Sequence, residues 1–170
     1  PAEGLFMVKP HLQLLDEKSA AVVWMTKRPA TGFVEWSQDN GASWKTAWDE
    51  KDGLRDAGSR VHVATLRGFK PSMPVVYRAC SQETPHVFAY KTFFKGDVEK
   101  IESKLAPLVP ADGTVSFAMF NDVHCNHAIY STLLDNVKKP VNFTVFAGDI
   151  MNSTDSEACV VHNLLAPLAY

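Results

Sequence analysis

The feature that most limits what this chain can fold into is a change of hydrophobic period past its midpoint. Before about residue 96, short apolar runs broken by turn residues recur roughly every ten positions, the sequence form of a β-sandwich. After Gly113 come two nearly continuous apolar runs, residues 114–120 and 141–147, each followed by a stretch with helical spacing. Runs of that length suit strands buried on both faces of a parallel sheet. Two units are therefore expected: a β-sandwich over residues 1–96, a linker over 97–113, and an α/β portion over 114–170.

Within the first part, residues 20–26 and 33–37 read as two strands separated by Lys27-Arg28-Pro29-Ala30-Thr31-Gly32. Asp39-Asn40-Gly41 supplies a turn tolerant of positive φ, and Trp44, Thr46 and Trp48 alternate along the strand that follows. Val61, Val63 and Thr65 alternate with His62, Ala64 and Leu66, and the runs 75–80 and 87–94 complete the set. Residues 98–105 read as a short charged helix or linker, with Ile101 and Leu105 on one side. Leu66-Arg67-Gly68-Phe69-Lys70-Pro71 followed by Tyr77 resembles the corner of fibronectin type III-like domains, where a tyrosine hydroxyl ties the turn back to the backbone.

Trp24, Trp36, Trp44 and Trp48 raise the question of an aromatic platform for carbohydrate, but tryptophans on sandwich strands are expected to pack. His11, His62 and His86 fall on different elements and are expected to be satisfied or solvated. Cys80, Cys125 and Cys159, irregularly spaced and odd in number, read as free thiols. Seventeen basic against nineteen acidic side chains give a net charge of -2, which disfavours nucleic acid and anionic lipid as partners. No apolar run approaches the ~20 residues of a membrane-spanning helix. The start at Pro1, without Met or an apolar leader, is expected to be a processed or engineered end.

In the second part, Asn126 is placed to cap a helix whose Ile129, Leu133, Leu134 and Val137 share a face, ending at Lys138-Lys139-Pro140. Thr154 and Glu157 form the pattern of a capping box for a second helix, with Ala158, Val161, Leu164 and Leu165 on its apolar face. In such a β-α-β-α order the crossover is right-handed and the strands are parallel, so both open on one sheet edge, where ligands of open α/β folds bind. Asp122 and His124 follow the first strand, and Asp149 follows the second. Adjacent strands lie ~4.8 Å apart, and carboxylate and imidazole donors reach an ion at ~2.0 to 2.2 Å. All three side chains are therefore candidate ligands of a shared cation.

Phe120-Asn121-Asp122-Val123-His124 and Phe146-Ala147-Gly148-Asp149 resemble the first two motifs, D-x-H and G-D, of the calcineurin-like metallophosphoesterases. The sandwich before them resembles the N-terminal domain of purple acid phosphatases. The resemblance implies a metal-dependent phosphoester hydrolase with two metal ions, Fe, Mn or Zn. Asp122 and His124 would bind the first ion, Asp149 would bridge both, and His127 would contact substrate. Two positions depart from purple acid phosphatases, which usually have Gly and Tyr where His124 and Asn152 stand here, so the general binuclear phosphoesterase is the better match. The family's later G-N-H and G-H-x-H motifs are absent from this chain. It is thus expected to hold part of the site, to be inactive alone, and to need a C-terminal half or a second copy to cover the α/β unit. An extracytoplasmic location follows by analogy with sandwich-bearing relatives. The competing expectation is a non-catalytic protein- or carbohydrate-binding sandwich with an inactive α/β tail.

Overall fold

The computed structural model describes residues 4–137 and 139–165. The chain divides into two compact units, Pro1–Pro107 and Leu108–Tyr170. The first is an antiparallel β unit of eight strands among the described residues: β1 (Phe6–Asp16), β2 (Ser19–Ser37), β3 (Lys45–Trp48), β4 (Glu50–Lys51), β5 (Leu54–Arg55), β6 (Ser59–Arg67), β7 (Val75–Phe88) and β8 (Lys91–Leu105).

Its organising element is β2, which joins into one long strand the two runs that the sequence separates. The halves of β2 have different neighbours. Residues 19–25 pair with β1 on one side and β6 on the other, whereas residues 30–37 pair with β3 and β7. Pairing with β6 breaks between Met25 and Ala30, and Pro29, which has no N–H to donate to a ladder, lies inside that gap. One strand thereby serves both halves of an antiparallel assembly, as in a β-sandwich, with β8 added beyond β7.

Residues 98–105, expected as a helix or linker, are instead the second half of β8. The reason lies in spacing: residues four apart, such as Ile101 and Leu105, share a face in both a helix and a strand, so this pair does not discriminate between them. In the structure Glu99, Ile101, Ser103 and Leu105 turn inward while Lys100, Glu102 and Lys104 alternate outward. Outward charges pair across strands, Lys100 with Glu35 at 3.0 Å and Arg78 with Glu102 at 2.8 Å. Tyr77 is buried, and burial raises its pKa against a smaller opposing effect of the Ser103 side chain on the neighbouring strand.

The alternation in β6 runs against simple hydrophobicity. Val61 and Val63 face solvent, while His62, Ala64 and Leu66 face the core. Inward placement of His62 is tolerated because both ring nitrogens are satisfied, Nδ1 by Asp49 Oδ2 at 2.9 Å and Nε2 by Thr26 Oγ1 at 3.2 Å. Its ring stacks on Trp24 at 5.3 Å, and the Trp24 indole N–H donates to Ser81 Oγ at 2.8 Å. Gly32 closes over this group: a Cβ there would stand 2.8 Å from both His62 Nδ1 and Trp24.

The second unit runs β9 (Phe117–Phe120), α1 (His127–Asp135), β10 (Phe143–Phe146) and α2 (Glu157–Val160), followed by a π-helical turn over Val161–Leu165. β9 and β10 are parallel, as expected, and pair in step from Phe117 with Phe143 to Phe120 with Phe146. They are shorter than expected and not buried on both faces: Phe117 and Met119 are 56% and 58% exposed. Parallel strands are buried on both sides only when helices cover both faces, and the described side chains that pack on this pair gather on the other one. The packed side holds Phe120, Val123, Tyr130 and Ile150, with Leu134, Phe146, Met151 and Leu164 against them. The Tyr130 hydroxyl has no partner among the described residues, and burial pushes its pKa up to about 12.

Asn126 caps α1 as expected, its side-chain oxygen accepting from the Ile129 N–H at 3.1 Å. α1 stops at Asp135, earlier than the charged end expected at 138–140, because Asn136 takes the C-cap and its side chain donates to the Thr132 carbonyl at 2.7 Å; Lys138 lies outside the described residues. The capping box expected at Thr154 does not form. α2 begins two residues later, with Ser156 Oγ accepting from the Cys159 N–H at 3.1 Å.

Candidate functional site

The in-step pairing of β9 and β10 releases both chains at the same level of the sheet, and backbone hydrogen bonds keep them together beyond the strands. The Ala147 N–H donates to the Phe120 carbonyl at 2.9 Å, and the Asp122 N–H to that of Gly148 at 3.2 Å. His124 and Cys125 then donate to the carbonyls of Asp149 and Ile150, each at 2.9 Å. This ladder sets the segment 122–125 directly beside 148–150.

The backbone there is strained in a way found almost nowhere else in the described chain. Six non-glycine residues have positive φ. Two of them, Asn40 and Asp52, precede Gly41 and Gly53 in turns that require it. The other four are Asp122, His124, Cys125 and Asp149. Left-handed conformation costs a residue with a Cβ on the order of 1 kcal/mol or more, and such outliers cluster at functional sites.

Asp122 and His124 lie side by side at the surface, with Asp122 Oδ1 3.7 Å from His124 Nε2. Two ~2.1 Å bonds meeting at a tetrahedral ion would put their donors ~3.4 Å apart, so this pair fits two ligands of one cation. The Asn121 amide donates to Asp122 Oδ2 at 2.5 Å. On the far side of the imidazole, Nδ1 meets Asn152 Oδ1 at 2.8 Å. Asp149 is brought in through its backbone carbonyl. Its carboxylate does not join the other two: among the described residues no three His, Cys, Asp or Glu side chains are grouped so as to hold a metal ion. Of the three expected donors, two are thus spaced as ligands of one cation would be and the third stands apart. His127 is the first residue of α1, and its side chain lies outside what is described. Sequence reading noticed Asn152 for its departure from a family position and missed its contact with His124; its place three residues after Asp149 was the available signal.

On the first unit, the tryptophans present no open platform. Trp24 is buried, and the other three have cations over their rings: Lys45 over Trp36 at 4.7 Å, Arg78 over Trp44 at 3.9 Å and Arg55 over Trp48 at 3.6 Å. A shallow cleft of about 510 Å³ runs past Trp36, Trp48, Lys45 and Arg67, but a sugar ring would have to displace a cation to stack there.

No family model and no curated protein matches the chain. Solved structures similar to it include a purple acid phosphatase isolated from yellow lupin (Lupinus luteus) seeds, at 18% identity and a TM-score of 0.38, covering 68% of this chain and 22% of that one. Another is the FN3 domain of human collagen XX, at 13% identity and a TM-score of 0.31, covering 61% of this chain and 99% of that one. The likenesses are coarse ones of fold, and this chain spans less than a quarter of the phosphatase's length. Among the described residues no helix is long and apolar enough to cross a membrane.

Proposed function

We propose that the second unit contributes Asp122, His124 and Asp149 to the binuclear metal centre of a phosphoester hydrolase. The main support is the backbone ladder past two parallel strand ends, which concentrates four left-handed non-glycine residues where ligands of open α/β folds bind. Asp122 and His124 would hold one ion, and a side-chain rotation of Asp149 would let its carboxylate bridge to a second. When bound, such ions polarise a phosphoryl group and activate water for in-line attack. The protein's own part is to fix the donors and leave them open to a substrate: all three side chains are exposed. Three donors are fewer than two ions need, so this chain supplies part of the centre, and His127 at the start of α1 is our candidate for a substrate contact.

Hydrolysis of aryl phosphate mono- and diesters by the full-length protein, with Mn, Zn and Fe supplied in turn, tests the proposal. Asp149→Asn is expected to abolish the rate. A full-length protein inactive with every metal, or an Asp149→Asn variant as active as its parent, would defeat it.

A second reading has its own observation. At the β7–β8 hairpin, Val87, Phe88, Tyr90, Phe93 and Phe94 are exposed, Tyr90 at 89%, and Phe88 contacts Tyr90 at 6.3 Å and Phe93 at 6.0 Å. A contiguous apolar tip of this kind favours a protein-binding role for the first unit, alongside or in place of catalysis. The covered tryptophan faces speak against carbohydrate.

A further inference from the structure

We infer that Asn152 is a positioning residue that fixes the tautomer of His124, and so creates the free acceptor on which any cation at this site depends. An amide oxygen can only accept, so the 2.8 Å contact between Asn152 Oδ1 and His124 Nδ1 requires the proton on Nδ1. The amide is held in that sense at its other end, where Asn152 Nδ2 donates to the His124 carbonyl at 3.5 Å. A flipped amide would set its NH₂ against the ring and its oxygen against that carbonyl. The Asn152 N–H also donates to Cys125 Sγ at 3.4 Å, which ties the segment after β10 to the residue next to His124.

With Nδ1 protonated, Nε2 of the neutral ring carries a lone pair, and it faces Asp122 Oδ1 across 3.7 Å. Two acceptors aimed at each other at that distance attract a cation between them. Asn152 therefore both points the ring at Asp122 and leaves the nitrogen nearest Asp122 unprotonated. This is the arrangement by which an outer hydrogen bond raises the basicity of a metal-ligating histidine. The functional consequence rests on the metal-site reading, whereas the tautomer itself does not.

The test uses the metal-free chain, observed by long-range ¹H–¹⁵N correlation of its imidazoles at about pH 8, above the ~6.5 of free imidazole. His124 is expected to be mainly Nδ1–H. Asn152→Ala should return it toward the Nε2–H form that free imidazole prefers in water, and Asn152→Asp should restore Nδ1–H, because a carboxylate also accepts. Asn152 is exposed, so these substitutions leave the core intact, and the buried His62 serves as an internal reference that must not move. A His124 that is mainly Nε2–H in the parent chain, or one that Asn152→Ala leaves unchanged, overturns the inference. Zinc titration of the same proteins supplies the second readout: Asn152→Ala should weaken binding by about 10–100-fold, with Asn152→Asp retaining it. If the parent chain bound no zinc while the tautomer still responded to Asn152, the metal reading would fail and the positioning role would stand.

Discussion

Two histidines, each beside an aspartate, show how differently the two units use the same chemistry. His62 is fully buried, has partners on both nitrogens, Asp49 at 2.9 Å and Thr26 at 3.2 Å, and lies against Trp24. His124 is exposed, held at one nitrogen by Asn152 at 2.8 Å, and faces Asp122 at 3.7 Å with the other. A buried ring with both nitrogens satisfied has nothing to offer a ligand and much to lose if a partner goes. An exposed ring with one nitrogen anchored keeps the other for chemistry. Proximity of His to Asp does not distinguish the two pairs; burial, saturation of the ring nitrogens and backbone strain do, and they are the grounds on which the exposed pair is proposed as functional.

That contrast predicts opposite responses to substitution. The largest effect belongs to the buried pair: His62→Ala should destabilise by about 3 kcal/mol, since it opens a cavity beside Trp24 and removes the ring that satisfies Asp49 and Thr26. Gly32→Ala should cost about 1–3 kcal/mol, because its Cβ meets His62 and Trp24 and one of them must move. Urea unfolding measures both, and a loss below about 0.5 kcal/mol for His62→Ala, the range of ordinary surface changes, would break the distinction.

His11 predicts a pH dependence. It is buried, and burial lowers its pKa against a weaker upward pull from the Lys9 backbone. The unfolded chain therefore takes up a proton near the ordinary ~6.5 while the folded chain resists it. The contribution of neutral His11 is fully present above ~6.5, is lost as pH falls from there toward the lowered folded value, and is constant below it. Denaturation midpoints across that range should fall with pH in the parent chain, and less steeply in His11→Phe. Equal slopes would show that His11 protonates as readily folded as unfolded.

A smaller effect of opposite sign is expected at the strand ends. His124→Gly relieves a left-handed residue at φ 48° and should raise stability by up to about 1 kcal/mol while removing a proposed ligand. A loss of stability there would mean that His124 packs rather than serves. Smallest of all, Phe88→Ser and Tyr90→Ser at the hairpin tip should change stability by less than about 0.5 kcal/mol, which leaves any effect on partner binding cleanly readable.

The sequence announced the antiparallel unit, the parallel pair, the Asn126 cap and the positions of Asp122, His124 and Asp149 at strand ends, because each rests on local period or local capping. It misread what depends on partners distant in the chain. Ile101 and Leu105 fitted helix and strand alike until β7 supplied a ladder. Which face of β6 turns inward was left open by the alternation of residues 61–66, and Asp49, Thr26 and Trp24, three residues outside that strand, stand around the inward His62. Thr154 satisfied a capping pattern that Ser156 fulfilled. Asn152 gained its meaning from a contact to His124, 28 positions away.

Zinc titration of the metal-free chain, followed residue by residue in ¹H–¹⁵N spectra and reversed with a chelator, is the most direct measurement of whether the strand ends form a cation site. The expected result is saturable shifts confined to residues 121–125 and 148–152, lost in Asp122→Asn, with His62 and its neighbours unmoved. Absence of any saturable shift, or shifts centred on the sandwich unit and indifferent to Asp122→Asn, would contradict the assignment of these two strand ends as the functional edge of the protein.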